Sequence, residues 1–444
     1  MFDKQLGQVD RVRNLDAATV VSAVDERSDE IIDLAVNLVR IPSETHPPGG
    51  DEGDVQRFIQ GVFNGLELEI DVFEPWAIEG IEEHPGWWPG LEYEDRPNVV
   101  GIWKGGTGGR SLILNGHCDV VPAGPSTSWR YDPYGGVVAD GRIHGRGSAD
   151  QKAGIAAMTM AVACLKSLGA VLQGDVFLES AVNEELGGYN GTLACIVKGY
   201  EADAAIVTEP TDLNVAPASK GGQTYRAIVP GRNAHHAWAW EGVSAFDMAI
   251  LVKNALREWE EIRAVELVDV PLFSDKNRYP RPALADTIWY VEAGDRHLMA
   301  TPASAELGFW VDVVPGEDRE EVLRRFEDHV AESTSRDPFL AGHPPQLERA
   351  LMRPFTGVTV PLDHPIIGVL QGAHEAASGT RPDVVGMNGA SDQMMFNLFS
   401  DTPAVVYGPG NGKVAHSPDE YVEIDDVITA TKTLALAILD FCGH

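Results

Sequence analysis

The chain has 444 residues, 44% of them hydrophobic and 23% charged, enough for a large core and two domains. Its 34 lysines and arginines stand against 67 aspartates and glutamates, a net charge of −33, which argues against nucleic acid or an anionic membrane as a partner. No apolar run reaches the roughly 18–20 residues of a membrane span, and the start, MFDKQLGQVDRVRNLD, lacks the basic and apolar regions of a secretory signal, so a cytoplasmic protein is expected.

In chain order, residues 27–41 carry apolar side chains at helical spacing, and the proline- and glycine-rich stretch 42–54 ends that helix. A second helix is predicted over 54–66. Strands follow at 68–76, 98–105 and 111–121, then a buried, alanine-rich helix over 152–169. A strand at 174–182, a helix at 190–200 and a strand at 202–210 continue the alternation, which predicts an α/β layer with a mixed, largely parallel sheet and flanking helices.

Near residue 220 the pattern changes. Strands at 221–231, 285–294 and 303–314, with amphipathic helices at 242–262 and 316–334, predict a compact α+β unit. Beyond it, 365–379, 403–410 and 425–441 return to α/β character. The expected organisation is one domain, 1–219 and 336–444, interrupted by an inserted domain at 220–335.

The four cysteines, at 118, 164, 195 and 442, form no C-x-x-C pair. A zinc ribbon or disulfide framework is therefore not supported, and metal ligands would have to be histidine and carboxylate. Thirteen histidines are too many to interpret singly, so their neighbours must choose among them. In LILNGHCDVVP an apolar strand ends in His117-Cys118-Asp119. Period-two alternation puts His117 and Asp119 on one face and Cys118 toward the core. That suits an imidazole ligand oriented by a carboxylate, or a core histidine bonded to one. In GRIHGRGSADQKAG, glycines deliver Asp150 just ahead of the buried helix, as a helix cap or as a ligand on rigid backbone. His144, in the same loop, is another possible ligand, though a loop histidine beside glycine more often reads as structural. NEELGG places Glu184 and Glu185 side by side at a strand end, and the proline after Glu209 in IVTEPT holds it extended. His416 lies in the glycine-rich loop YGPGNGKVAHSPDE.

Each of these groups alone reads as readily as surface charge or turn chemistry. Together they are histidines and carboxylates at strand or loop ends of one α/β layer, where such sheets build their sites. The set suits Zn²⁺, Co²⁺ or Mn²⁺. Five ligands fit two metals sharing one carboxylate, and one glutamate is left free as a base.

The series GHCDVVP, GRGSADQKAG, NEELGG, TEPT and AHSPDE resembles the acetylornithine deacetylase, succinyl-diaminopimelate desuccinylase, aminoacylase and carboxypeptidase G family of co-catalytic metallohydrolases. The resemblance implies a zinc-aminopeptidase-like fold with an inserted lid and dimerisation domain. It implies that His117 and Glu209 bind one metal, that Glu185 and His416 bind the other, and that Asp150 bridges them. Asp119 would orient His117, and Glu184 would relay a proton from the metal-bridging water to the leaving nitrogen. The cofactors implied are two divalent ions, zinc foremost, with cobalt or manganese as alternatives.

The stretch GRNAHHAWAWEGVSA resembles the family's lid motif. That match implies a homodimer in which His235 reaches into the partner subunit's site and stabilises the oxyanion. Ala239 stands where the family has proline, and Ser244 where it has asparagine. Many relatives carry a carboxylate-clamping arginine three residues before the proline of LGFWVDVVPGED, and here that position is Asp312. Trp238 and Trp240, beside His235, pack the lid or wall a flat substrate. The expected reaction is hydrolysis of the amide bond of a small N-acyl amino acid or short peptide. The alternatives are the same chemistry on an aromatic amine or carbamoyl group, and a catalytically silent metal-binding protein, against which Glu184 argues.

Overall fold

The computed structural model describes residues 15–187, 189–349 and 352–444. Gly188 of the NEELGG turn and most of the N-terminal stretch analysed above lie outside them.

The main sheet runs in the order Val358–Thr359, Val215–Ser219, Ala404–Val406, Ala204–Val207, Leu112–His117, Val176–Ala181, Asn98–Trp103, Glu69–Phe73, with Val384–Met387 also paired to Val215–Ser219. The predicted layer is present, but its parallel pairings are concentrated at the centre. Leu112–His117 is parallel to Ala204–Val207 and to Val176–Ala181, and Ala404–Val406 is parallel to Ala204–Val207. Glu69–Phe73, Asn98–Trp103 and Val358–Thr359 pair antiparallel toward the edges.

The parallel centre explains the apolar runs. Leu112, Ile113 and Leu114 are wholly buried, as are Ala204 through Val207, because helices cover both faces. The alanine-rich helix Ala153–Ser167 is buried through Leu165. Its small side chains let it lie close to the sheet. A Cβ on Gly154 would come within 2.3 Å of the Thr208 carbonyl oxygen, so only glycine fits there. The helix Ala17–Asp25, which sequence periodicity did not reveal, packs against the C-terminal helix Ile424–Cys442.

A second sheet is antiparallel, in the order Thr287–Ala293, Ser304–Val313, Gly221–Pro230, Gln346–Arg349. Helices Ala245–Glu266 and Arg319–Thr334 pack on it around Phe309, Phe326 and Trp259. The strand Gln346–Arg349 pairs with Tyr225 through Ile228, so the fourth strand of this sheet lies past the expected boundary at 335. Local pattern could not reveal this, because a four-residue strand has too little periodicity and its partner lies over 100 positions earlier.

A small sheet of Tyr421–Glu423, Arg142–His144 and Val137–Ala139 completes the frame. It ties the end of the His416 loop to the start of the Asp150 turn.

Candidate metal centre

Parallel strands bring their C-terminal ends to one edge, and the central register pairs His117 with Ala181 and Asn115 with Val207. His117 therefore ends its strand level with the turn bearing Glu184 and Glu185, and beside Glu209, two residues past Val207. The loop after Ala404–Val406 returns His416 to the same edge. Asp150 arrives from the opposite direction, just before the helix Ala153–Ser167, and its peptide bond to Gln151 is cis.

The sequence-predicted groups converge there. His117 Nε2 lies 3.2 Å from Asp150 Oδ1, 3.5 Å from Glu209 Oε1 and 3.8 Å from Glu184 Oε2. His416 Nε2 lies 3.0 Å from Glu185 Oε2 and 3.4 Å from Asp150 Oδ2. The two oxygens of Asp150 thus face different histidines. His117, Glu185 and Glu209 are buried, while the His416 side chain is 54% exposed at the mouth. Asn183 and His416 hold left-handed φ angles of 61° and 58°. Each such residue costs about 1–3 kcal/mol, a strain concentrated at functional sites.

His117 Nδ1–H donates to the Asp119 carbonyl oxygen at 2.9 Å, while the Asp119 carboxylate stands 3.6 Å away. That bond leaves Nε2 facing Asp150. The Asp119 carboxylate accepts the backbone N–H groups of Glu184 and Glu185, each at 3.0 Å, and the Thr45 hydroxyl at 2.6 Å. It fixes the turn that presents both glutamates. Cys118 is buried, as period-two alternation predicts.

Two further holding groups and one buried carboxylate were not singled out from the sequence. Glu420 Oε1 accepts the N–H groups of Ala149 (2.9 Å) and Asp150 (3.1 Å), and Arg146 Nη1 donates to its other oxygen at 2.5 Å. Gln151 Nε2 donates to Glu209 Oε1 at 2.6 Å. Asp392, at the start of the helix Gln393–Phe399, is fully buried, and burial pushes its carboxyl up to about 7. Glu420, four residues past His416 in AHSPDE, and Gln151, beside Asp150 in GRGSADQKAG, lay within motifs, but nothing local marked their roles.

Charge is crowded and unbalanced. Burial and the neighbouring Asp150 push Glu209 up to about 8. Burial raises Glu184 well above the carboxylate range, and Glu209 and Glu185 add to it despite the opposing pull of His117. Against the pull of burial, His117 and His416 hold Asp150 below that range. Buried Glu185 Oε1 has no hydrogen-bond partner. Hard oxygen and imidazole donors, with negative charge in excess, fit divalent cations. His117 groups within 4.8 Å with Glu184 and Glu209, and separately with Asp150 and Glu185.

The cluster opens into a cavity of about 900 Å³. His235 is not brought to it within one chain. It is exposed on the second unit, its ring 4.2 Å from His236 and 5.5 Å from Trp238, and Trp238 and Trp240 are exposed too.

A mixed α/β layer with histidines and carboxylates at its parallel strand ends defines a metallohydrolase architecture. The chain belongs to peptidase family M20/M25/M40, whose model matches residues 113–440. It is a metal-binding hydrolase acting on C–N amide bonds. It is 28% identical over 441 residues to N-formyl-4-amino-5-aminomethyl-2-methylpyrimidine deformylase of Halalkalibacterium halodurans, covering 95% of this chain and 97% of that one. Human carnosine dipeptidase 1 shares the fold, with a TM-score of 0.75 and 16% identity over 96% of this chain and 99% of the other. So does YXEP of Bacillus subtilis, described as a dinuclear metal binding peptidase, with a TM-score of 0.58 and 15% identity over 94% and 99%. No helix among the described residues is long and apolar enough to cross a membrane.

Proposed function

We propose that the chain is a two-metal deacylase that hydrolyses the amide of a small N-acyl compound in the cytoplasm. The observation that carries this reading is the pair of Asp150 oxygens, 3.2 Å from His117 and 3.4 Å from His416. In this reading His117 and Glu209 would hold one ion and Glu185 and His416 the other, with an Asp150 oxygen available to each. Zinc suits these donors best, with cobalt or manganese able to replace it. The bound ions supply Lewis-acid polarisation of the acyl oxygen and make water a stronger acid.

The protein's own groups do the rest. Glu184, 3.8 Å from His117 Nε2 at the edge of the ligand cluster, takes the proton of the attacking water and hands it to the leaving nitrogen. Asp119 keeps Glu184 and Glu185 aimed through their backbone N–H groups.

The unit from residue 220 to the end of the second sheet serves as lid and dimerisation surface. Its edge strand Thr287–Ala293 exposes Trp289 and Val291, and its long helix exposes Phe246 and Ile250. An unpaired edge beside apolar surface favours a second copy of the chain. His235 then completes the partner subunit's site, donating to the developing oxyanion.

The leaving group is the amine of an amino acid or short peptide, or an aromatic amine. The cavity favours the second. Tyr189, Phe355 and Trp310 form a continuous wall, with ring centroids 5.2 and 5.1 Å apart. The deformylase relative is named for a pyrimidine amine.

Glu184→Gln should retain metal and lose roughly 10²–10⁴ in kcat, the range for a general base. Unchanged turnover would remove Glu184 from that role. In the same assay His235→Ala should slow turnover of the dimer without releasing metal, and metal loss would contradict the lid reading.

A further inference from the structure

The wall of the cavity also holds a buried ion pair that the chemistry above does not use. Lys220 Nζ stands 3.2 Å from Asp312 Oδ2, and both residues are no more than 3% exposed while lining the cavity. Asp312 is held from three directions. Trp310 Nε1 donates to Oδ1 at 2.6 Å, the Leu284 N–H donates to Oδ2 at 2.9 Å, and Lys220 takes the same oxygen. Lys220 sits 5.6 Å from the centre of the Phe273 ring.

The surrounding backbone fixes this arrangement. Lys220 is the single residue between Val215–Ser219 of the main sheet and Gly221–Pro230 of the second. Asp312 lies opposite Gly222 in the second sheet. Phe273 and Leu284 come from the segment 267–286, which crosses to the main sheet. Tyr279 Oη there donates to the Gly386 carbonyl at 2.5 Å, and the Gly386 N–H donates to the Leu272 carbonyl at 3.2 Å.

A lone buried ammonium would draw a substrate carboxylate strongly. Lys220 is not alone, because Asp312 already cancels its charge. A second carboxylate brought to Lys220 would also stand against Asp312 in a low-dielectric cavity, where like charges repel strongly. The cavity's other lysine and arginine side chains among the described residues lie nearer solvent: Lys413 is exposed and Arg278 faces Asp383. Trp310 joins the pair to the aromatic wall, since it both packs on Phe355 and donates to Asp312. A flat ring without a carboxylate can lie along that wall without disturbing the pair.

We propose that the Lys220–Asp312 pair is a specificity determinant: it admits N-acyl derivatives of amines carried on a flat aromatic ring, as in an aminomethyl-arene, and rejects those with a carboxylate beside the scissile nitrogen. This rests on the amide-hydrolase reading above and selects between its two leaving groups.

The test uses N-formylbenzylamine and N-formylphenylglycine, which differ only in the α-carboxylate, with the metal-loaded enzyme. The wild type should favour N-formylbenzylamine in kcat/KM. Asp312→Asn should shift the ratio of the two kcat/KM values toward N-formylphenylglycine by about tenfold or more, mainly through KM, because it unmasks the ammonium. Lys220→Met should move the ratio the opposite way, and it carries the test alone if Asp312→Asn does not fold. Metal content and thermal melting identify the folded variants. A wild type that prefers N-formylphenylglycine, or folded variants that change both substrates by the same factor, would overturn the proposal. A wild type inert toward both compounds and toward N-acetyl amino acids and dipeptides would overturn the deacylase reading, and this inference with it.

Discussion

Two buried charged regions of this chain differ in one respect. Around Glu52 and Arg96 the charges balance: both side chains are buried, and Arg96 Nε donates to Glu52 at 2.6 Å within a two-pronged contact. At the strand ends Asp150, Glu184, Glu185 and Glu209 crowd around two histidines, and their carboxylates are pushed up or depend on imidazole to stay ionised. A buried charge is tolerated only when something neutralises it. The balanced pair supplies its own partner and holds structure. The unbalanced cluster draws in cations.

The comparison can be broken at either region. The larger expected effect is at the balanced pair. Arg96→Ala leaves Glu52 buried without its partner and should cost about 3–5 kcal/mol of unfolding free energy. Burial already raises the Glu52 carboxyl and removing Arg96 raises it further, so the loss should shrink as pH falls from neutral toward the ordinary glutamate range, where Glu52 becomes protonated and no longer carries buried charge. Denaturant unfolding at several pH values measures it, and a loss under about 1 kcal/mol at neutral pH would contradict the assignment. The smaller effect is at the cluster's edge. Glu420→Gln weakens the hold on the Ala149 and Asp150 N–H groups and should lower metal affinity roughly 10–100-fold, as for other groups that orient ligands. Competition with a chelator reads this directly. Unaltered affinity would mean that the Asp150 turn holds itself.

Much of the cluster was legible because it lies where apolar strands stop. His117, Glu184, Glu185 and Glu209 each close a buried run, and a polar group at that point needs an explanation. The parallel centre of the sheet was legible for the same reason. What holds the cluster was not. Glu420 reaches Asp150 across 270 positions and Thr45 reaches Asp119 across 74, and no local period encodes such contacts. The role of the Asp119 carboxylate was hidden too. Alternation put it beside His117, but its hydrogen bonds go to the Glu184 and Glu185 backbone. Lys220 was invisible as the partner of Asp312, because the two meet only when the sheets join. The four-residue strand Gln346–Arg349 escaped because it is too short to show a pattern.

The central claim is that Asp150 joins two cation positions. Anomalous-scattering crystallography of the cobalt- or zinc-loaded protein tests it most directly. The account predicts two ions about 3.5–4 Å apart, with one oxygen of Asp150 on each, His117 and Glu209 on one ion, and Glu185 and His416 on the other. A single ion at full occupancy, or two ions with Asp150 bound to neither, would contradict it.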